Sequence, residues 1–200
     1  MKRLFAVFPL FLPLITAGCD KILGPDSQEP QKLIMPLSVG SWWVQESTVY
    51  GKSGEQKTLS VDTIRVLRDT LISDQKWTIV LEYGSENLYR NTSLGFWLRY
   101  RGDSLLKYKY PAAVTDTFQC YSGNSSTKVI SIDSTVTVPA GSFHCYVYLT
   151  SGGGSTTRSH WVDFCSPGLG LVYVEFYMTF DISEPEFLYS RQRLLAYELR

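Results

Sequence analysis

This sequence has no excess of either charge, few histidines and no metal-binding cysteine motif. Its 200 residues include 19 basic and 19 acidic ones, so it lacks the positive excess that favours nucleic acid or anionic lipid surfaces. No Cys-x-x-Cys pair, dinucleotide fingerprint, phosphate-binding loop or nucleophile elbow occurs in it. We therefore predict that the protein has no nucleic-acid partner, no metal and no cofactor.

The chain has only two histidines, His144 and His160, which fall on neighbouring predicted strands. With Asp163 nearby, one interpretation is a metal site, or a hydrolase-type enzyme that uses a histidine as general base and the carboxylate to orient it. The other interpretation is two partly exposed strand histidines, because no third group falls at a diagnostic spacing. We favour the second interpretation, assign Glu82 and Glu86 to the surface, and predict no catalytic residue.

The N-terminus has the pattern of an export signal. Residues 1–3 carry two positive charges and precede an uncharged apolar stretch, residues 4–15, which is too short to span a bilayer. The small residues Ala17 and Gly18 then precede Cys19. This arrangement resembles the bacterial lipobox, which implies cleavage before Cys19 and acyl chains, palmitate among them, on its thiol.

The resemblance to the lipobox divides the chain into three parts. Residues 1–18 are a predicted lipoprotein signal peptide, residues 19–36 a lipidated start with a proline-containing flexible tether, and residues 37–200 a single β-domain. The lipid would hold the domain in the bacterial cell envelope, facing the periplasm or the cell surface. The choice between inner and outer membrane stays open.

Residues 37–200 show short segments rich in aromatic and β-branched residues, separated by glycine-containing turns. Residues 42–50, 76–83 and 143–150 are examples. No segment has a sustained apolar period of 3.6 residues, which argues against a helical domain. We predict an all-β fold of about ten strands, an antiparallel meander that forms a curved sheet, a half-barrel or a closed barrel.

Two neighbouring predicted strands indicate which of their faces belongs to the core. Side-chain alternation places Phe143 and Val147 on one face of the first strand, and Val162 and Phe164 on the matching face of the second. We expect these four apolar side chains in the core. A slip by one residue would bury Asp163 with them, which is unfavourable for an unpaired charge.

Three cysteines follow Cys19, and an exported protein can form disulfides. Cys145 and Cys165 lie on neighbouring predicted strands and are therefore the first possible pair. Alternation places them on opposite faces, so joining them requires a bulge near Ser166. A Cys120–Cys145 pair and the absence of any disulfide are the open alternatives.

Two turn motifs in the C-terminal half carry a family resemblance. Val138-Pro139-Ala140-Gly141-Ser142-Phe143 matches a V-PAG-[ST]-F hairpin, and Ser166 to Val172 matches a PGVGLV-type turn. Together they resemble a family of uncharacterised bacterial envelope β-proteins, many of them lipoproteins, over roughly residues 95–199. The resemblance implies a curved antiparallel sheet whose turns need Pro139, Gly141, Gly168 and Gly170, and it implies no catalytic residue.

The sequence has more large aromatic residues than a small core needs, including Trp42, Trp43, Trp77, Trp97 and Trp161. They indicate either a large aromatic core or an apolar ligand cavity. Our leading hypothesis is a membrane-anchored, non-enzymatic lipoprotein that binds a hydrophobic or peptidic ligand or an envelope partner protein. The alternatives are a structural component of an envelope assembly and the hydrolase described above.

Replacing Cys19 by serine removes the predicted acylation site, so the Cys19→Ser protein should lose both palmitate and stable membrane attachment. Acyl chains contribute about 0.8 kcal/mol per buried CH₂, and without them no membrane anchor is predicted. Radioactive palmitate labelling and membrane fractionation measure the two effects, with Cys120→Ser as the matched control. A Cys19→Ser protein that remains equally membrane-bound would contradict the lipidation.

Overall fold

The computed structural model describes residues 33–120, 125–153 and 156–200, so the predicted signal peptide, Cys19 and most of the tether lie outside the described residues. Twelve antiparallel strands in this part of the chain form one sheet that curls into a nearly closed barrel. The strands are β1 (Trp42–Tyr50), β2 (Gln56–Ile72), β3 (Gln75–Glu82), β4 (Ser85–Thr92), β5 (Gly95–Tyr100), β6 (Asp103–Lys109), β7 (Thr117–Phe118), β8 (Ser126–Val138), β9 (Gly141–Gly153), β10 (Arg158–Ser166), β11 (Gly170–Thr179) and β12 (Phe187–Glu198).

The prediction of an all-β antiparallel fold is confirmed. The strand count is twelve rather than about ten, mainly because the polar segment of β4 gave no strand signal. No helix within the described ranges is long and apolar enough to cross a membrane.

The sheet consists of two meanders joined through one long-range strand pair. Its strand order is β6-β5-β4-β3-β2-β1-β12-β11-β10-β9-β8-β7. Strands β1–β6 and β7–β12 therefore each pair with their neighbours in sequence, and β1 pairs with β12 from Trp42 opposite Glu198 to Val49 opposite Ser190. This single pairing places the first described strand at the centre of the sheet.

Tight turns set the register of the first meander. The turns Ser73-Asp74, Tyr83-Gly84 and Arg101-Gly102 have positive φ at both residues, from 50° to 90°. Two consecutive residues in this region are characteristic of the two-residue turns whose twist matches that of paired strands. These turns therefore join β2 to β3, β3 to β4 and β5 to β6 as close hairpins.

Five aromatic rings close the barrel from the inside. Tyr89, Phe96, Tyr108, Tyr148 and Phe118 contact one another in that order, with ring centroids 5.0, 6.1, 5.0 and 6.3 Å apart. The rings come from β4, β5, β6, β9 and β7, so this aromatic row crosses from one meander to the other. The Tyr148 hydroxyl also donates a 2.8 Å hydrogen bond to the backbone carbonyl of Lys109, which ties β9 to the end of β6.

The turn between β10 and β11 packs on β1 and on the segment that precedes it. The Trp43 indole N–H donates a 2.9 Å hydrogen bond to the backbone carbonyl of Leu169 in this turn. Gly168 and Gly170 have φ of 81° and 99°, and a Cβ at Gly170 would lie 2.8 Å from Cγ of Met35. The turn therefore needs glycine at this position for both conformation and space.

The turn between β8 and β9 also contacts a distant strand. Pro139 and Ala140 form the turn, Gly141 follows with φ of 137°, and the Ala140 amide donates a 3.2 Å hydrogen bond to the Leu194 carbonyl on β12. The tip of the β8–β9 hairpin thus packs against β12.

The core face assigned to β9 and β10 from the sequence is confirmed only in part, with Phe143 and Phe164 at the margin of the core. The two strands pair with Val147 opposite Phe164, and Val147 is buried, but Phe143, Val162 and Phe164 are only partly buried. The opposite face points into the barrel, and it carries the buried Tyr148 and Thr150 together with Asp163.

The polar side chains of this face are tolerated in the interior because they find hydrogen-bond partners there. The Tyr108 hydroxyl lies 3.0 Å from Oδ2 of Asp163 and donates to it, and the Tyr148 hydroxyl reaches the Lys109 carbonyl. Buried polar groups are tolerated when they are paired. The expectation that Asp163 stays out of the interior is therefore wrong.

Cys120, Cys145 and Cys165 are buried free thiols, so the possible Cys145–Cys165 disulfide is not formed in the structure. Cys165 pairs with Tyr146, the residue next to Cys145, and adjacent residues of a strand point to opposite faces. Burial raises the pKa of the Cys145 thiol to about 12 and that of Cys165 well above its ordinary value. Both thiols therefore remain protonated and unreactive at neutral pH.

Shortening Phe96 to alanine should destabilise the fold, because this ring is 1% exposed and packs between Tyr89 and Tyr108 in the aromatic row. A buried Phe→Ala substitution costs about 3–5 kcal/mol. Phe180→Ala is the matched control, because that ring is 63% exposed and its loss should cost about 1 kcal/mol or less. Denaturant unfolding measures both. Equal losses for the two variants would contradict the closing role of the row.

Candidate functional site

A cleft of about 190 Å³, partly open to solvent, enters the interior of the curled sheet. Residues from both meanders line it, and they combine aromatic rings with charged and amide groups. We call it the interior cleft and define it by Glu82, Tyr83, Lys107, Tyr108, Trp161, Asp163, Phe176, Ser190 and Gln192. Beneath it, between Trp43, Tyr89 and Phe96, only about 20 Å³ is empty, so the aromatic core forms its floor.

Asp163 is the central carboxyl of the interior cleft. It lies on β10 opposite Tyr148 on β9 and Val174 on β11, with the Tyr108 hydroxyl donating a hydrogen bond to it from across the seam. Loss of hydration raises the pKa of Asp163, and the nearby Lys107 ammonium and the Tyr108 hydrogen bond offset that effect only in part. The charged form of Asp163 is therefore disfavoured in the folded protein.

Two further charged groups line the cleft on the first meander. Glu82 accepts a 2.6 Å hydrogen bond from the Tyr89 hydroxyl. The Lys107 ammonium lies 5.6 Å from the ring centroids of both Tyr89 and Tyr108, a distance at which a cation is attracted to an aromatic face. The cleft thus combines two carboxyl groups with one ammonium group.

One wall of the cleft is aromatic. Trp161 and Phe176, which are opposite each other on β10 and β11, stack with centroids 4.5 Å apart and ring planes at 16°. Their pairing places a broad apolar surface close to Asp163, two residues along β10 from Trp161. A ligand in the cleft would meet this surface and the carboxyl together.

Tyr83 connects the two meanders beside the cleft. Its hydroxyl, at the β3–β4 turn, lies 3.1 Å from Oε1 of Gln45 on β1 and 3.3 Å from Oε1 of Gln192 on β12. The single phenol proton can serve only one of the two amides at a time. Loss of hydration and the neighbouring Glu82 raise the pKa of Tyr83 to about 12, so the phenol stays a neutral hydrogen-bond donor.

The two histidines lie outside the cleft. His144 is exposed, with Nδ1 2.8 Å from an Asp133 carboxylate oxygen. The ring of His160 stacks on Tyr177 with centroids 4.7 Å apart, and its Nδ1 lies 2.6 Å from Glu186. Each histidine therefore has its own carboxylate partner on the outside of the sheet.

The structure does not bring His144, His160 and Asp163 together. His160 pairs with Ser151, seven residues along β9 from His144, which corresponds to about 23 Å at about 3.3 Å per residue. Asp163 points to the opposite face of β10 from His160. The hydrolase interpretation, which needs these groups in one site, is therefore wrong. No group of three metal-ligating side chains occurs among the residues described.

Most of the cleft residues had no signal in the sequence. Glu82 was assigned to the surface but lines the cleft, whereas Glu86 is exposed and pairs with Arg68. Lys107 and Gln192 lie in strands with other charged residues, so nothing in the sequence singles them out. The sequence points to Trp161 as one of five tryptophans and to Asp163 as a carboxylate near the histidines, but to neither as part of a cleft.

Comparison with solved structures identifies the fold. A candidate exported protein with a YmcC-like fold from Bacteroides fragilis NCTC 9343 is 15% identical, with a TM-score of 0.55 over 84% of this chain and 100% of that one. A candidate lipoprotein from Parabacteroides distasonis ATCC 8503 is 16% identical, with a TM-score of 0.49 over 84% and 99% of the two chains. No protein-family model matches this sequence, and no curated protein matches it significantly.

The first of these likenesses shows that the chain has a YmcC-like fold, and at this identity it shows the fold alone. The resemblance of the two turn motifs to envelope β-proteins therefore stays a prediction.

Replacing Asp163 by asparagine should increase stability at neutral pH. The amide oxygen can still accept from Tyr108, and the disfavoured charge is gone. Because the folded-state pKa of Asp163 is raised, wild-type stability falls as pH rises from the ordinary value of 3.8 through the raised one. The gain in Asp163→Asn should therefore shrink towards zero at pH below 3.8.

Asp69→Asn is the matched control with the opposite sign. Hydrogen bonds from Lys76 and Thr78 lower the pKa of Asp69, so its charged form stabilises the fold above pH 3.8 and this contribution is lost as pH falls through the lowered pKa. The variant should lose stability at neutral pH. Thermal unfolding at several pH values measures both variants, and a loss in Asp163→Asn at neutral pH would contradict the assignment.

Proposed function

We propose that this chain is a lipoprotein of the bacterial cell envelope whose β-domain binds a ligand in the interior cleft and catalyses no reaction. The anchor is the acylated Cys19, and the domain faces the periplasm or the cell surface. The export signal and lipobox support the location, and so does the YmcC-like fold shared with a candidate exported protein.

The observation that carries the binding role is Asp163 as a lining residue of an open cleft. A carboxyl with a raised pKa reduces the stability of the fold at neutral pH, and an amide would meet the same hydrogen bond from Tyr108. Groups whose pKa is shifted in a concave site are candidates for a functional role. A ligand that interacts with the carboxyl accounts for an aspartate at this position.

A second candidate function is a structural component of an envelope assembly, which a different part of the sheet favours. Strand β2 pairs with β3 only from Arg65 onward, so among the described strands residues 56–64 have a neighbour on the β1 side alone. Leu59 and Val61 on this edge are 53% and 57% exposed. An exposed edge with apolar side chains can add a strand from another protein.

Native mass spectrometry of the full-length protein, purified from its own membrane in detergent, tests the binding role. The wild type should carry a non-covalent ligand. Ser190→Phe fills the interior cleft and should lose the ligand, whereas Ser142→Phe, at an exposed position at the start of β9, should retain it.

A wild-type protein that carries no adduct, or an adduct retained in Ser190→Phe, would argue against binding in the cleft. A co-purifying protein that is lost on Leu59→Asp would instead favour the assembly role. Both readouts come from the same preparation.

A further inference from the structure

The size of the interior cleft restricts what can enter it. About 190 Å³ is available, and the aromatic floor leaves only about 20 Å³ below. Complete small-molecule sites usually occupy about 300–1,000 Å³. The cleft therefore suits one side chain of a larger ligand better than an acyl chain or a whole metabolite, and this step rests on the binding role proposed above.

The charge of the cleft favours a cation. Glu82 and Asp163 line it together with a single ammonium group, that of Lys107. Asp62, opposite Gln45 on β2, adds negative charge near Tyr83 and contributes to the raised pKa of that phenol. Carboxyl groups thus outnumber cations at this end of the barrel, and the hydrogen bond from Tyr108 only partly compensates the poor hydration of Asp163.

The aromatic wall suits the same kind of group. Stacked Trp161 and Phe176 rings offer a face to a cation and an apolar surface to the methylene stem that carries it. Lysine and arginine side chains combine an apolar stem with a charged end, and their attraction to aromatic faces adds to an ion pair. The volume of the cleft, its carboxyl groups and its aromatic wall all favour a ligand group with an apolar stem and a cationic end.

We propose that the interior cleft binds a lysine or arginine side chain of a peptide or protein segment, with its cationic end at Asp163 and its stem along Trp161 and Phe176. The rest of the segment lies outside the cleft. Of the two predicted ligand types, hydrophobic and peptidic, the proposal favours a peptidic ligand with a basic residue.

Isothermal titration calorimetry of the full-length protein in detergent tests the proposal. The probe is the blocked peptide acetyl-Gly-Ala-Lys-Ala-Gly-amide, whose only charge is the lysine. The matched peptide contains norleucine, which keeps the stem and lacks the ammonium group. We expect the lysine peptide to bind and the norleucine peptide to bind at least about thirtyfold more weakly, as for loss of a partner from a poorly hydrated ion pair.

Three variants locate the binding. Asp163→Asn should weaken the lysine peptide about thirtyfold or more and leave the norleucine peptide unchanged. Ser190→Phe should abolish binding of both, and Asp133→Asn, an exposed carboxylate beside His144, should change neither. Circular dichroism of each variant verifies that the sheet is intact.

Equal affinity for the two peptides, or lysine binding that Asp163→Asn leaves unchanged, would overturn the proposal. Failure of both peptides to bind would also overturn it. If the wild type still carries an adduct that Ser190→Phe loses in native mass spectrometry, the binding role survives and only the basic side chain is wrong. Absence of both signals would count against the binding role itself.

Discussion

A row of five packed aromatic rings holds the two meanders of this sheet together, and the interior cleft depends on it. Tyr108 is both the central ring of the row and the donor to Asp163. The contacts that close the seam therefore also hold the carboxyl in place. The hydrogen bond from Tyr148 to the Lys109 carbonyl and the contact between the Tyr110 and Tyr146 rings support the row at this seam. The same aromatic contacts therefore stabilise the fold and set the geometry of the interior cleft.

The interior of this barrel divides into two regions with different chemistry. Around Trp43 and Phe96 it is apolar and nearly filled, as expected for a core. Towards the open end, Asp163, Glu82 and Lys107 face a space that the protein does not fill. The first region supplies the free energy of folding. The second region lowers the net free energy of unfolding at neutral pH, because it contains a poorly hydrated carboxyl group.

The class of fold was predictable because it depends on local signals. Glycine-containing turns and β-branched segments indicate hairpins one at a time, and Val147 and Phe164 were correctly assigned to one face. The direction of that face was not predictable. Strand β9 alternates Val147 with Tyr146 and Tyr148, so both faces can be buried, and tyrosine enters a core wherever its hydroxyl finds a partner. That partner, the Lys109 carbonyl, is 39 residues away. The cleft was missed for the same reason, since Glu82, Lys107 and Asp163 meet only after the sheet curls.

The place of β1 between β2 and β12 has a consequence for how the chain folds. Trp42 and Glu198, which meet at one end of this pairing, are 156 residues apart in sequence, whereas every other pair among the described strands joins neighbours in sequence. Hairpins form early and distant pairings late. During synthesis, the edge of β1 therefore stays open until β12 has been made. In that interval β12 of another molecule can occupy the same edge, which makes exchange of strands between copies the characteristic misfolding route of this topology.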